Sequence, residues 1–285
     1  MKKKDIIGVV IIYKFEIDNL IDNINQYLFS IDKLVIWQNS LLSDYDKEKL
    51  SNIKYSNKIE ILGNGENKGI SFAINTVINK YNQEYEFLMT MDQDSYWINI
   101  ADYIENIKQI DKENALQIYG PNIIPMHSFK SETYKVDEEA AISYVDHVIT
   151  SGAVYKMDIF KFIGNMKEDF FIDAIDEEIC YRAQKNNINT IKINKGVLLQ
   201  TFGEPHKYRL LFKEVTYNKY SAERLYYIVR NHIRLVREYN FSIRKSWLLI
   251  YSYVIRPIIM IVLFDEFKIK KLTKIYFGII DGFKS

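Results

Sequence analysis

Cysteine, proline and glycine are scarce in this 285-residue chain, and each scarcity removes a class of structure. The single cysteine, Cys180, rules out an internal disulfide, fits a reducing compartment and leaves zinc without a thiolate set. Four prolines and eleven glycines leave no room for a disordered linker or a low-complexity segment, and no internal repeat is present. Four histidines without a supporting serine or cysteine motif argue against a nucleophilic triad. A secretory leader is imitated by Lys2, Lys3 and Lys4 before the apolar residues 6–12. The imitation fails because Asp5 interrupts, the run is short and no small-residue cleavage site follows. The expectation is a buried first strand in a cytoplasmic protein. Basic residues accompany apolar runs instead of stacking aromatics, so nucleic acid is not an expected partner.

What remains is 48% apolar and 26% charged, enough for one large domain, or one with an appendage. The net charge of +1 hides an asymmetry: residues 224–285 carry twelve basic against four acidic side chains, leaving 26 against 33 elsewhere. Short apolar runs at 6–12, 34–37, 59–62, 87–91 and 116–119 alternate with helical spacings over 17–28 and 70–81. That alternation predicts an α/β fold with a mostly parallel, doubly wound sheet, the fifth run closing at Gly120-Pro121. In such sheets ligands bind beyond the carboxyl ends of the strands. Beyond Pro121 the pattern weakens; residues 145–151 are expected to form a strand, and the chain from Tyr217 onward is expected to be helical throughout. The predicted division is a catalytic domain at 1–215, with a nucleotide half at 1–120 and an acceptor half at 121–215, followed by a helical, basic and apolar region at 216–285.

Two acidic clusters carry the chemistry. Asp92-Gln93-Asp94 follows the apolar run 87–91, and two carboxylates at a strand end make a hard, oxygen-rich site suited to Mg or Mn carrying a diphosphate. The second cluster, Asp173 to Glu178, follows Phe170-Phe171 and opens a helical segment. A helix starting near Asp176 places that carboxylate at its positive end, framed by apolar neighbours, as a general base requires; an acidic N-cap is the plainer alternative. Asp173 and Glu177 compete for the role.

Taken in order, these pieces resemble the inverting nucleotide-sugar glycosyltransferases of the GT-A fold, and within them the rhamnosyltransferase-like branch of the large family 2 that builds bacterial surface polysaccharides. The motifs are Ile12-Tyr13-Lys14, Gln38-Asn39-Ser40, the stretch from Asn67 to Asn75, Asp92-Gln93-Asp94, Thr150-Ser151-Gly152, Asp173 to Ala183, and Arg224-Leu225-Tyr226-Tyr227-Ile228-Val229-Arg230-Asn231. The resemblance implies a mixed, mostly parallel Rossmann-like sheet flanked by helices with a helical C-terminal appendage. It implies Asp176 as catalytic base; Tyr13, Asn39, Asn67, Gly69, Asp92 and Asp94 around the nucleotide sugar; and Asp94 with Asp92 on a Mg or Mn ion. The donor it implies is a dTDP- or UDP-linked sugar such as rhamnose, and the acceptor a glycan, free or lipid-linked. Two positions depart from the family. Gln38 stands where an Asp commonly contacts the base or ribose, and Gln200 where a His commonly binds metal, with His206 a weaker substitute.

Two other readings stay open. Gly63-Asn64-Gly65-Glu66-Asn67-Lys68-Gly69 opens a helix after a strand, as in a dinucleotide-dependent oxidoreductase, though one residue too long and after the third strand. A catalytically degenerate glycan-binding protein would explain Gln38 and Gln200. In the tail, the apolar run 247–264 is interrupted by Arg256 and Pro257 and flanked by lysines and arginines. Two helices broken at Pro257 and lying on an anionic membrane surface fit both facts, with packing on the catalytic domain or in a homo-oligomer as the alternative. The expected location is the inner face of the cell membrane.

Overall fold

The computed structural model describes residues 3–111, 115–129, 141–201, 203, 205–210 and 213–284. The chain divides into two units, Met1–Glu168 with Ile179–Thr201, and Asp169–Glu178 with Phe202–Ser285.

The first unit opens with β1 (Lys4–Ile12), α1 (Ile17–Asn25), β2 (Lys33–Gln38), α2 (Asp44–Ser51), β3 (Ile59–Leu62), α3 (Ile70–Tyr81) and β4 (Tyr85–Met91). It continues with β5 (Tyr96–Trp97), α4 (Ile100–Ile110), β6 (Gln117–Pro125), β7 (Ile142–Tyr144), β8 (Val154–Lys156) and α5 (Asp158–Ile163). Helix α6 (Ile175–Lys185) begins in the second unit and leads into β9 (Asn189–Gln200). The sheet runs β3-β2-β1-β4-β8-β6-β9-β5, with β7 also on β9. Strands β3, β2, β1 and β4 are parallel, as are β6 and β9, while β5, β7 and β8 pair antiparallel to their neighbours. Both faces of β1 are buried: Ile6, Ile7, Val9, Val10 and Ile12 are at most 2% exposed, as helix-covered parallel strands demand. The helical spacing over 70–81 is α3 itself, opened by Gly69 at φ +83°.

Two expectations change here. Strand β6 does not stop at Gly120-Pro121 but runs to Pro125, because a bulge between Pro121 and Asn122 absorbs the missing proline N–H. Residues 145–151 form no strand. The segment is a loop whose end is stitched to β4: Gly152 N donates to Thr90 O (2.8 Å), and Thr90 Oγ1 to Thr150 O (2.5 Å). Gly152 takes φ +77°, and a Cβ there would stand 2.8 Å from Pro121 Cγ.

The second unit contains residues 169–178, a hairpin of β10 (Pro205–Leu210) and β11 (Lys213–Asn218), and the helices α7 (Ala222–Glu238), α8 (Ile243–Ile250), α9 (Arg256–Phe264) and α10 (Lys268–Phe283). The hairpin overturns the expectation of helix from Tyr217. Tyr217 is a strand residue whose ring joins Leu225, Val229, Ile233, Val254 and Ile261 in this unit's core. Ser221 and Ser242 cap α7 and α8 through their hydroxyls. Helix α8 does not end at Pro257. A π-turn over Tyr251–Ile255 carries it into α9, so Ile243–Phe264 is one continuous helix of 22 residues, and the break comes at Asp265. The widened turn accommodates a residue that has no N–H to donate. Helix α10 lies unusually close to α7, because Gly278 and Gly282 face it. A Cβ on Gly278 would stand 2.8 Å from Tyr226 O, and one on Gly282 2.9 Å from Ile233 Cβ.

Candidate active site

At the carboxyl end of β4 the acidic turn is held by a closed ring of hydrogen bonds. Asp92 N donates to Ser151 Oγ (3.3 Å), and Ser151 Oγ lies 2.5 Å from Ser95 Oγ. Ser95 Oγ donates to Gln200 Oε1, and Gln200 Nε2 donates back to Asp92 Oδ2 (2.9 Å). Because the one Ser95 hydroxyl hydrogen goes to Gln200, the Ser151 hydroxyl must be the donor to Ser95. Every polar atom in the ring then has one direction, and the Asp92 carboxylate is fixed by residues far apart in sequence. Gln93 adds a second tie, accepting from Tyr13 N (2.8 Å) and donating to Tyr13 O (3.0 Å), so the ends of β1 and β4 are joined.

Within this ring the Gln200 amide oxygen accepts from Ser95 and its nitrogen donates to the Asp92 carboxylate, so Gln200 orients Asp92. His206 lies in the second unit on β10, opposite Tyr217, with its ring 6.4 Å from that of Tyr208. Among the described residues no group of three or more His, Cys, Asp or Glu side chains is placed to hold a metal. Asp92 and Asp94 nevertheless suit a hard cation of the Mg type, which is commonly bound by one or two carboxylates and completes its shell with phosphate oxygens and water. Asp94 is open to solvent, yet the protein packed behind it is enough to raise its carboxyl pKa by desolvation.

Two further loops leave the carboxyl ends of β2 and β3. Asn39 is buried; its Oδ1 accepts from Trp37 Nε1 (3.1 Å) and Lys68 N (3.2 Å), and its Nδ2 reaches Gly69 O at 3.5 Å. Its amide therefore fixes the Asn67-Lys68-Gly69 loop. Asn67 does the same locally, accepting from Gly69 N (3.1 Å). Gln38 is likewise engaged within the protein: it accepts from Leu42 N (2.9 Å) and donates to Gly63 O (3.1 Å). The departure at this position thus serves loop structure. The Tyr13 side chain is 43% exposed.

In the second unit, the chain leading into α6 is strained. Phe171, Asp173 and Ala174 all take left-handed φ values of 56°, 63° and 61°, although none is glycine. Asn231 on α7, fully buried, holds them there. Its Nδ2 lies 2.9 Å from Phe170 O, 2.9 Å from Ile172 O and 2.8 Å from Asp173 O. Its Oδ1 accepts from Arg230 Nε (3.0 Å) and Nη2 (2.9 Å), and Arg230 Nη2 also donates to Asp169 O. Arg224 grips both carboxylate oxygens of Asp173 at 3.0 Å, and Phe171 stacks on Tyr227 with ring centroids 5.0 Å apart. The arginines that a regular helical face might have offered to solvent are thus occupied with this loop.

The loop delivers Asp176 to the start of α6. Its Oδ1 accepts from Glu177 N (3.0 Å). The residue is partly exposed, but desolvation of the carboxyl, reinforced by the Glu177 charge, pushes its pKa up to about 7. Beside it, buried Glu177 meets His232 on α7, with Oε2 3.1 Å from Nε2. The other ring nitrogen, Nδ1, lies 2.7 Å from Ile228 O and must carry a hydrogen. Neither His232 nor the loop-holding role of Asn231 was legible beforehand. The available signal was their adjacency at the end of the arginine and tyrosine run.

No family model matches the chain. It is similar to the dTDP-rhamnosyl transferase RfbF of Shigella flexneri, at 29% identity over 207 residues, 67% of either chain. Among solved structures it is similar to GalNAc-T7 with UDP, GalNAc and Mn2+ (TM-score 0.62, 14% identity, 95% of this chain), although it spans only 54% of that chain's length. It is also similar to Staphylococcus aureus TarS with UDP-GlcNAc (0.60, 11%, 95% of this chain and 79% of that one). A third is the mannosyltransferase PcManGT of Pyrobaculum calidifontis with GDP-Man and Mn2+ (0.60, 13%, 96% and 74%). The fold is that of GT-A glycosyltransferases.

Replacing Asn231 by Ala should remove the donor shared by three carbonyls. The expected loss of stability is at least about 1–3 kcal/mol, the cost of leaving a buried acceptor unsatisfied. Urea unfolding measures it, with Lys270→Ala on the exposed side of α10 as the control. A midpoint as little changed as that of the control would show that other contacts hold the loop.

Proposed function

We propose that the chain is a metal-dependent, inverting glycosyltransferase that moves a sugar from a nucleoside diphosphate to a hydroxyl of a bacterial surface glycan. The observation that carries this reading is Asp176: a carboxyl with its pKa near 7, on a strained loop, in a chain of GT-A fold. A general base works best with a pKa near the working pH, because it must be ionised yet still attract a proton. The donor is a dTDP- or UDP-linked hexose. Rhamnose is favoured by the name of the Shigella relative.

In the reaction, Asp176 takes the proton of the acceptor hydroxyl as that oxygen attacks the anomeric carbon. The bond from that carbon to the diphosphate oxygen breaks on the opposite side, the electron pair leaves with the nucleoside diphosphate, and the configuration inverts. A Mg or Mn ion held by Asp94 and Asp92 would neutralise charge on the departing diphosphate. The hydrogen-bonded ring around Asp92 keeps that carboxylate from reorienting, and the Asn39–Gly69 contacts shape the loop before α3 for the nucleotide. The glycine-rich run at 63–69, the basis of the oxidoreductase alternative, has a structural use: a Cβ on Gly63 would stand 2.9 Å from Gln38 O, and one on Gly65 2.4 Å from Leu41 Cγ.

The tail supports attachment to an anionic membrane surface. The helix Ile243–Phe264 is long and apolar enough to cross a membrane, with a mean hydropathy of 2.0. Arg256 near its middle disfavours a span and favours a helix lying in the interface. Ile243, Trp247, Leu248, Tyr251, Ile259 and Leu263 are exposed on it, with Arg244, Lys245, Lys268 and Lys270 nearby in sequence. Such an attachment would bring the enzyme to a lipid-linked acceptor.

Four outcomes are expected. Release of sugar from dTDP-rhamnose or UDP-GlcNAc should fall as pH drops through about 7, since the base is lost on protonation, by roughly tenfold per unit below it. Asp176→Asn should lower transfer by roughly 10²–10⁴-fold and flatten that profile; near-normal turnover in this variant, with loss in Asp173→Asn, would move the base to Asp173. Excess chelator should stop turnover and Mg or Mn restore it, with Asp94→Ala beyond rescue; full activity in chelator would remove the metal from the mechanism. The intact chain should sediment with phosphatidylserine vesicles at low salt and less at high salt, and Trp247→Asp with Leu248→Asp should release it. A chain that stays in the supernatant at low salt has no such membrane surface.

A further inference from the structure

The second unit contains a cavity of about 390 Å³ that no step above uses. Its walls come from the β11 end, α7, and the π-turn between α8 and α9. Tyr220 and Tyr253 supply aromatic surface, and Asn218, Ser252, Arg256 and Asp173 supply polar atoms. The size sits at the small end of the range for small-molecule sites, about 300–1,000 Å³. Resting on the transferase reading, we propose that this cavity is the acceptor subsite and takes a neutral pyranose ring of the glycan.

The chemistry of the wall selects that class. A sugar ring has apolar C–H faces that pack on aromatic rings, and hydroxyls that each donate and accept. Asn218 and Ser252 can do both, Arg256 donates, and Asp173 accepts. An anion such as phosphate would face Asp173 here, and Asp173 stands beside the acidic pair Asp176 and Glu177 in sequence. A lipid chain would strand the polar groups without partners. The aromatic side chains are already immobilised: Tyr253 stacks on His232 at 3.5 Å between centroids, and the Arg224 guanidinium lies 4.9 Å from the Tyr220 ring. A preorganised wall loses little side-chain freedom on binding. Arg256 is fixed too, its Nη2 donating to Thr216 O at 2.8 Å.

Two features tie the cavity to the base. Asp173, at left-handed φ, belongs both to the cavity wall and to the loop that carries Asp176. The Tyr253 hydroxyl pKa is pushed up first by burial and then by the charges of Glu177 and Asp176, so this wall is within electrostatic reach of the base. The π-turn matters because it rotates Ser252 and Tyr253 relative to the rest of the helix, and such turns recur at functional sites.

The test uses the full chain and three probes: the methyl glycosides of rhamnopyranose, glucopyranose and N-acetylglucosamine. Saturation-transfer NMR should show binding of at least one, and Ser252→Trp, which fills the cavity, should abolish it. Cys180 is fully buried, so Ser252→Cys offers one reactive thiol. Alkylation of that thiol by N-ethylmaleimide should slow severalfold with the bound glycoside and remain unchanged with inorganic phosphate. Absence of saturation transfer from all three glycosides overturns the proposal, as does transfer that survives in Ser252→Trp, or alkylation that the glycoside does not slow. Should Ser252→Trp not fold, the alkylation rate decides. Donor hydrolysis by the unaltered chain reports separately on the transferase reading. Hydrolysis without glycoside binding sinks the cavity assignment alone; binding without hydrolysis of any donor sinks the transferase reading and leaves a glycan site.

Discussion

Asn231 commits its one side-chain nitrogen to three backbone carbonyls, those of Phe170, Ile172 and Asp173, and the geometry ahead of Asp176 depends on that bond set. A left-handed conformation costs an L-residue roughly 1–2 kcal/mol, and three of the four residues from Phe171 to Ala174 adopt it. Such a path persists only where its surroundings over-determine it. The surroundings here all come from α7: Asn231 on the carbonyls, Arg230 on Asp169, Arg224 on the Asp173 carboxylate, and Tyr227 under Phe171. Arg224, Tyr227, Arg230 and Asn231 therefore act as a single device, each reaching another part of the same loop.

The first unit solves a similar problem without strain. A carboxylate at a strand end would swing among rotamers, and here a ring of two hydroxyls and one amide fixes it. The ring closes only because each member has the right number of hydrogens. A glutamate at position 200 would present oxygen to Asp92 and oppose it; a leucine would leave Ser95 and Asp92 each lacking a partner. Preorganised polar groups of this kind are what a diphosphate site needs, because they do not have to reorient when charge develops.

Much of this architecture was legible in the residues. The alternation of apolar runs gave β1 to β4 and α3 to within a few positions, because parallel strands buried on both faces leave an uninterrupted apolar signature. The acidic turn and Asp176 were visible because carboxylates beside apolar runs are conspicuous. The errors share a cause. Residues 145–151 have strand-like composition, but their hydrogen bonds are scattered: Val145 N donates to Thr190 O on β9, Gln184 donates to Val145 O and Asp146 O, and Thr150 O accepts from Thr90 on β4, which periodicity does not register. The β10–β11 hairpin is short and polar on one side, and its aromatic residues read equally well as helix. Pro257 reads as a breaker unless the turn before it is known to be wide. The internal hydrogen bonds of Gln200, Asn39 and Gln38 could not be read from the sequence, because they depend on distant partners that local sequence does not name.

The close seating of α10 on α7 carries a consequence for how the protein comes into being. Domains form from the N-terminal side as the chain is synthesised. The strands of the first unit are all translated before the two glycines that let α10 approach Tyr226 and Ile233. A product that terminates between the end of α7 and the start of α10 can thus hold every strand of its sheet while α7, and with it Asn231, lacks its closest helical neighbour. The setting of the loop ahead of Asp176 is in this way tied to a late stretch of message, far from the loop itself in sequence.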